Sequence, residues 1–237
     1  MNIKNILPKT IALALCLTVA FISCNTISTV TTSANGSDIH QIILDAGHGG
    51  FDGGAVASDG TVEKEINLKI TLYLYDMLSS CGYDVILTRQ TDTSTEDNQN
   101  AKIPARKKSD MKNRLSLMKQ NSNSVFISIH LNKFTTSAAR GSQVFYSGNN
   151  KNSKILGDYI QKSIISNIQP ENTRVNKRAT SSTYLLYNAT IPAVLVECGF
   201  LSNKTELAAL KTEDYQKKLA FCIFCGIIKY FSNIKEI

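Results

Sequence analysis

The chain has 237 residues, enough for one single-core domain of roughly 200 residues once a leader is set aside. Apolar residues make up 43% and charged residues 19%, which excludes both a disordered chain and a multi-span membrane protein. The formal charge of +7 suits an exported protein facing anionic surfaces, and with no basic stripe interleaved with aromatics it does not point to nucleic acid; the absence of Trp argues against a dedicated carbohydrate-binding module.

The first residues read as an export segment. Lys4 and Lys9 precede an uncharged, mainly apolar run from Ile11 to Ser23. That run suits a signal peptide and is short for a membrane span of about 20 residues. Residues 1–30 are therefore expected to be a signal peptide or an N-terminal membrane anchor, with small residues for cleavage at Ser33 to Gly36. Lipidation at Cys24 is a third reading, disfavoured by the preceding Phe21-Ile22-Ser23. Residues 31–39 read as a polar linker and residues 40–237 as the catalytic domain. Membrane contact is expected only through the N-terminal segment, and the domain is expected outside the cytoplasm. Of six cysteines, Cys16 and Cys24 fall in or beside the leader; Cys81, Cys198, Cys222 and Cys225 read as small buried hydrophobes.

The domain opens with a short apolar strand, Gln41 to Asp45, running into the glycine-rich turn Ala46-Gly47-His48-Gly49-Gly50. Apolar residues at three- and four-residue steps predict a helix from about Glu65 to Cys81, stopped by Gly82. Val85 to Thr88 is the next strand, and strand–helix–strand predicts parallel pairing. Thr91 to Asp110 reads as a polar loop containing Pro104, with Arg106-Lys107-Lys108 solvated. A helix from about Met111 to Gln120 leads to the strand Ser124 to Ile129, then a strand Ser142 to Tyr146 and a helix Ile155 to Ile168. Pro170 to Ser182 is a polar loop suited to lining a substrate groove. Short strands Tyr184 to Tyr187 and Ala193 to Val196 follow, the second central. Helices from about Lys204 to Leu210 and Asp214 to Phe231 close the chain. The fold class is α/β, a single-domain layer sandwich with a mostly parallel or mixed central sheet flanked by helices.

Residues able to do chemistry gather where strands end. Only three histidines exist; His48 follows the first strand by three residues and His130 directly follows another. Sites in open α/β sheets form beyond the carboxyl ends of strands, so these two histidines can converge on one point. Each alone reads equally well as a packed polar residue. A catalytic zinc site takes three protein ligands and leaves one position open. Glu63 is the natural third, with Glu65 as its competitor; an acidic residue at a helix start is also explained by the helix dipole. Glu197 closes the strand Ala193 to Val196, where a carboxylate is costly unless paired or part of a site. It is a candidate general base, the alternative being a carboxylate satisfied by backbone donors.

Four segments, Asp45-Ala-Gly-His-Gly-Gly50, Val62-Glu-Lys-Glu-Ile-Asn-Leu68, Ser128-Ile-His-Leu-Asn132 and Pro192-Ala-Val-Leu-Val-Glu-Cys-Gly-Phe-Leu-Ser-Asn203, resemble in order and spacing the zinc N-acetylmuramoyl-L-alanine amidases. The resemblance spans Gln41 to Phe231. It implies one Zn2+ ion held by His48, Glu63 and His130, with Glu63 at the family's Glu-Lys position, and Glu197 as catalytic acid/base. Asn132 and Arg114 become candidates for contacting substrate or supporting the ligands, with a structural role favoured for Arg114. The implied reaction cuts the amide between the lactyl group of N-acetylmuramic acid and L-alanine in peptidoglycan. Within the family the likeness is greatest to the compact spore-cortex amidases. This implies cortex maturation with muramic-δ-lactam formation during sporulation, action between the membranes of the developing spore, and an anchoring or activating lipoprotein partner. Ala46 departs from the proline of many relatives, and Thr91 to Asp110 is too short for the inhibitory plug some carry. The alternatives are another zinc peptidoglycan hydrolase (a peptidase or deacetylase), a non-catalytic wall-binding module, or a cysteine hydrolase using Cys198.

Overall fold

A computed structural model describes residues 41–234 of the chain. The expected leader or anchor, the linker, Cys24 and the third histidine, His40, lie outside the described residues. In chain order the elements are β1 (Gln41–Ala46), α1 (Glu63–Ser80), β2 (Val85–Leu87), α2 (Ile103–Gln120), β3 (Ser124–Asn132), β4 (Gln143–Tyr146), α3 (Lys151–Ile168), β5 (Lys177–Arg178), α4 (Tyr184–Asn188), β6 (Ala193–Phe200), α5 (Lys204–Leu210) and α6 (Glu213–Ile234).

One mixed sheet runs in the order β2-β1-β3-β6-β4-β5. β2, β1, β3 and β6 are mutually parallel, β4 pairs antiparallel with β6, and β5 runs parallel to β4. Strand side chains alternate between faces, and the sequence alternation decides which layer each enters. Ile42, Leu44, Ile127, Ile129, Val194 and Val196 face one way, into a core with Ile70 and Leu74 of α1, Ile160 of α3 and Ile223 of α6. Ile43, Phe126 and Ala193 face the other way, against Leu115 and Met118 of α2 and Leu186 of α4. Helices therefore cover both faces, as a largely parallel sheet requires. Among the described residues no helix is long and apolar enough to cross a membrane.

The structure corrects several element boundaries. α1 begins at Glu63 rather than Glu65, because its first-turn amides are taken by a loop: Glu63 N donates to Ala55 O at 2.9 Å and Lys64 N to Gly53 O at 3.1 Å. Its N-cap, Val62, makes no side-chain cap, so no local signal marks the start. α2 begins at Ile103, with Pro104 in the first turn where its missing N–H costs nothing. Arg106, Lys107 and Lys108 thus sit on a helix, not a solvated loop. The first half of α2 carries no apolar period because ion pairs tie it down, including Arg106 to Glu96 at 2.5 Å. α3 starts at Lys151, four residues early, capped by the Asn150 side chain accepting from Asn152 N.

Tyr184 to Tyr187, expected as a strand, is the short helix α4. Leu185 and Leu186 are consecutive and both buried, which a half-exposed strand cannot provide. His130 and Glu197 lie inside β3 and β6 rather than just beyond them. Cys198 and Cys222 are buried as expected, while Cys81 is exposed because it sits at the C-cap of α1; all four described cysteines are free.

Candidate metal centre and active site

Parallel neighbours β1, β3 and β6 end side by side, and this delivers the site. β1 opens into the turn bearing His48, which adopts φ of 62°, a left-handed conformation that is rare for a non-glycine residue. Arg114 of α2 holds that turn from behind. Its Nη2 donates to the His48 carbonyl at 2.7 Å, Nη1 to the Ala46 carbonyl at 3.0 Å and to Asp45 Oδ1 at 2.5 Å, and Nε to Asp110 Oδ2 at 3.0 Å. From the sheet edge, Arg89 adds bonds to the Ala46 and Gly47 carbonyls. The favoured structural reading of Arg114 therefore has a definite content: it is a fully buried strut under the histidine turn.

Three side chains converge above that turn. Glu63 Oε1 lies 3.0 Å from His130 Nδ1 and 3.4 Å from His48 Nε2, and the three donor atoms all fall within 4.8 Å of one another. Glu63 is fixed by Leu131 N and Asn67 Nδ2 on Oε1 and by Ala55 N on Oε2. Burial works to raise its pKa, but hydrogen bonds from His130 and His48 outweigh it and hold the carboxyl well below the usual range. His48 is pulled down by burial and pushed up more strongly by Asp52 and Glu63, to about 9. Its second ring nitrogen, Nδ1, sits 3.0 Å from Asp52 Oδ2. Glu65, the competing ligand, is exposed on α1 and takes no part.

Two imidazoles and one carboxylate are the donors of a catalytic zinc site. Donors around a tetrahedral ion at about 2 Å stand roughly 3–3.5 Å apart, and the 3.0 and 3.4 Å separations found here match that spacing. A carboxylate orienting the distal nitrogen of a metal histidine is the usual outer support, and Asp52 supplies it. The residues present fit the ion. Two glycines leave the room: a Cβ at Gly47 would stand 2.3 Å from His130 Nε2, and one at Gly54 would stand 2.6 Å from Glu63 Oε2 and from the His48 ring.

Glu197 is the register partner of His130 across β3 and β6, so both project to the same face. Its Oε2 is shielded from solvent and has no hydrogen-bond partner. Burial is the main cause that pushes its pKa up to about 7. Backbone donors, the alternative reading of this carboxylate, do not satisfy that oxygen. Asn132 ends β3 two residues past His130; its carbonyl accepts from Leu201 N, and its side chain makes no hydrogen bond among the described residues. Cys198 lies on the opposite face, fully buried, with burial pushing its thiol far up, so it offers no nucleophile here.

Asp52, Asn67 and Arg89 were not singled out from the chain. Asp52 carried the only local hint, an acid four residues after His48 in the same glycine-rich turn.

The family profile described as N-acetylmuramoyl-L-alanine amidase matches residues 42–229. The chain is 37% identical over 192 residues to the germination-specific N-acetylmuramoyl-L-alanine amidase of Bacillus subtilis, covering 81% of this chain and 80% of that protein. It superposes on the CwlD amidase of Clostridioides difficile, solved in complex with the GerS lipoprotein, at a TM-score of 0.78 and 42% identity, covering 81% of this chain and 98% of that one. The amidase AmiC2 of Nostoc punctiforme is similar at a TM-score of 0.71 and 27% identity, over 83% of this chain and 99% of that one.

Proposed function

Because this chain belongs to the N-acetylmuramoyl-L-alanine amidase family and is an amidase of cell-wall peptidoglycan, we propose that it works with one zinc ion on spore-cortex peptidoglycan. His48, Glu63 and His130 hold the metal, and Glu197 is the general acid/base. The observation that carries this reading is the convergence of three donor atoms beside a shielded carboxylate with an unpaired oxygen.

A zinc ion held by His48, Glu63 and His130 would supply Lewis acidity, making water easier to deprotonate and the scissile carbonyl easier to attack. Glu197 accepts the proton as water attacks the carbonyl carbon of the lactyl group, then returns it to the departing amine of L-alanine. Partial burial keeps Glu197 basic enough for the first transfer and acidic enough for the second. Asp52 holds the His48 ring in its binding orientation, and Arg114 holds the backbone that presents it.

Two finer readings follow from the relatives. Likeness to a germination-specific amidase supports a role in cortex maturation, where stripped muramic acid is passed on for muramic-δ-lactam formation. Similarity to an amidase solved with a lipoprotein supports an anchoring or activating lipoprotein partner here as well. Residues 1–30 would deliver the domain across the membrane, as a cleaved signal or an anchor.

Metal analysis together with mass spectrometry of digested peptidoglycan tests the core of this proposal. The protein is expected to contain about one zinc and to release stem peptides with a free L-alanine amine, and a chelator should abolish both. Release of a different new amine, or chelator-resistant cleavage, would refute it. Purified protein should gain activity when produced with a lipoprotein partner; full unaided activity counts against that part.

A further inference from the structure

Arg174 lies in the polar segment after α3, on the same side of the sheet as Glu197. Gln143 in β4 and Glu197 in β6 are directly opposed across an antiparallel pair, so both side chains project to one face. Gln143 is buried, and its Oε1 accepts from Arg174 Nη1 at 3.1 Å. Arg174 Nε donates to the Arg140 carbonyl at 2.7 Å, and its guanidinium carbon lies 4.7 Å from the centre of the Phe200 ring. Contacts from two segments, residues 140–143 and the end of β6, thus hold a half-buried cation in one orientation.

Among the described residues this cation closes no salt bridge; the carboxylate that acts on it through space is Glu206. Arg106 and Arg114 each close an ion pair, whereas Arg174 closes none among the described residues. The neighbouring carboxylate, Glu206, is committed to two backbone amides, Gly141 N at 2.7 Å and Phe200 N at 2.8 Å. Arg174 Nη2 makes no protein hydrogen bond among the described residues. Beside it opens a cavity of about 590 Å³ whose polar lining includes Arg140, Gln169, Glu171, Asn172, Arg174 and Glu206. A planar, pre-oriented guanidinium with donors to spare is built to receive a carboxylate.

We propose that Arg174 is a specificity-determining residue that binds a carboxylate of the stem peptide, two to three residues beyond the scissile amide. The proposal rests on the amidase reading above. Opposed residues in an antiparallel pair have Cβ atoms about 5 Å apart, and the Gln143 side chain with its hydrogen bond places the guanidinium on the order of 10 Å from Glu197. Extended peptide advances about 3.5 Å per residue, so the second or third stem residue reaches that distance.

The test measures steady-state kinetics on N-acetylmuramoyl-L-alanyl-D-glutamate and on the same compound with its α-carboxylate converted to the amide. A charge-assisted bond of this kind is expected to change KM about 10- to 100-fold. Wild-type protein should show that preference for the acid over the amide, with similar kcat. Arg174→Gln should raise KM for the acid to the amide level while leaving kcat and the amide kinetics within about threefold, and Arg174→Lys should restore part of the preference. Unchanged melting temperature and zinc content exclude a folding defect. Equal wild-type KM for acid and amide overturns the proposal without any variant, and so does an Arg174→Gln defect of equal size on both substrates. All measurements use protein produced with the lipoprotein partner, and failure of that wild-type preparation to cleave either compound, or intact peptidoglycan, would instead overturn the amidase reading.

Discussion

Replacing Arg114 with Met tests whether the strut under the histidine turn is electrostatic. The substitution keeps the volume of the aliphatic stem and removes a fully buried cation that touches two buried carboxylates, Asp45 and Asp110, and two carbonyls. Deleting one partner of a buried ion pair costs about 3–5 kcal/mol, because the other charge is left uncompensated. For a domain of this size each kcal/mol moves Tm by roughly 2–4 °C, so a drop on the order of 10 °C is expected. Asp45 sets the pH signature. Burial works to raise its pKa, but Arg114, with hydrogen bonds from Ser128 and other partners, holds it below 3.8 in the folded protein. A group depressed on folding stabilises the protein above its unfolded value, and that contribution is lost as pH falls through the folded value. Without Arg114 burial acts with less opposition, so protonating Asp45 becomes less costly to the folded state. The stability gap between wild type and Arg114→Met, measured by urea unfolding of the metal-free proteins, should therefore be widest near pH 7 and narrow below pH 4. A gap under about 1 kcal/mol at pH 7, or one that does not narrow in acid, would refute this account.

Other outcomes follow from the same geometry. Glu197→Gln should lower kcat by about 10²- to 10⁴-fold while leaving zinc content intact, as metal analysis and peptidoglycan digestion would show. Asp52→Ala should weaken zinc affinity about 10- to 100-fold in competition with a chelating indicator, because the His48 ring loses the carboxylate that orients it. Gly54→Ala should weaken zinc binding too, since its Cβ would press on Glu63 and His48 and its φ of 71° disfavours a side chain; unchanged affinity would mean the loop relaxes away. In the core, Ile70→Ala should cost about 2–5 kcal/mol in urea unfolding without altering zinc stoichiometry, because Ile70 is fully buried in the core and lies about two turns along α1 from Glu63, touching no ligand atom.

Much of the site is written locally in the chain. An apolar run followed by glycines and His48, another leading into His130, and Glu197 at the end of a third are patterns of neighbours. Backbone alternation converts such patterns directly into strand ends. The helix of α1 was legible in the same way, from the three- and four-residue steps of Ile66, Ile70, Tyr73, Leu74, Met77 and Cys81. Its start was not, because the groups that satisfy its first amides come from residues 53–55 and not from a capping side chain. That distant loop is what places Glu63, and not Glu65, at the centre.

Tertiary structure alone decided whatever depends on partners far along the chain. Arg114 lies 69 residues from Asp45, and no local pattern reveals that a polar, lysine-rich helix buries its arginine beneath a turn. The same holds for the reversal of β4, which sets Gln143 opposite Glu197, and for the folding of Tyr184–Asn188 as a helix. Periodicity encodes which face of an element is apolar. It does not encode which distant hydrogen-bonding group will meet the other face, because that pairing exists only after the layers have closed.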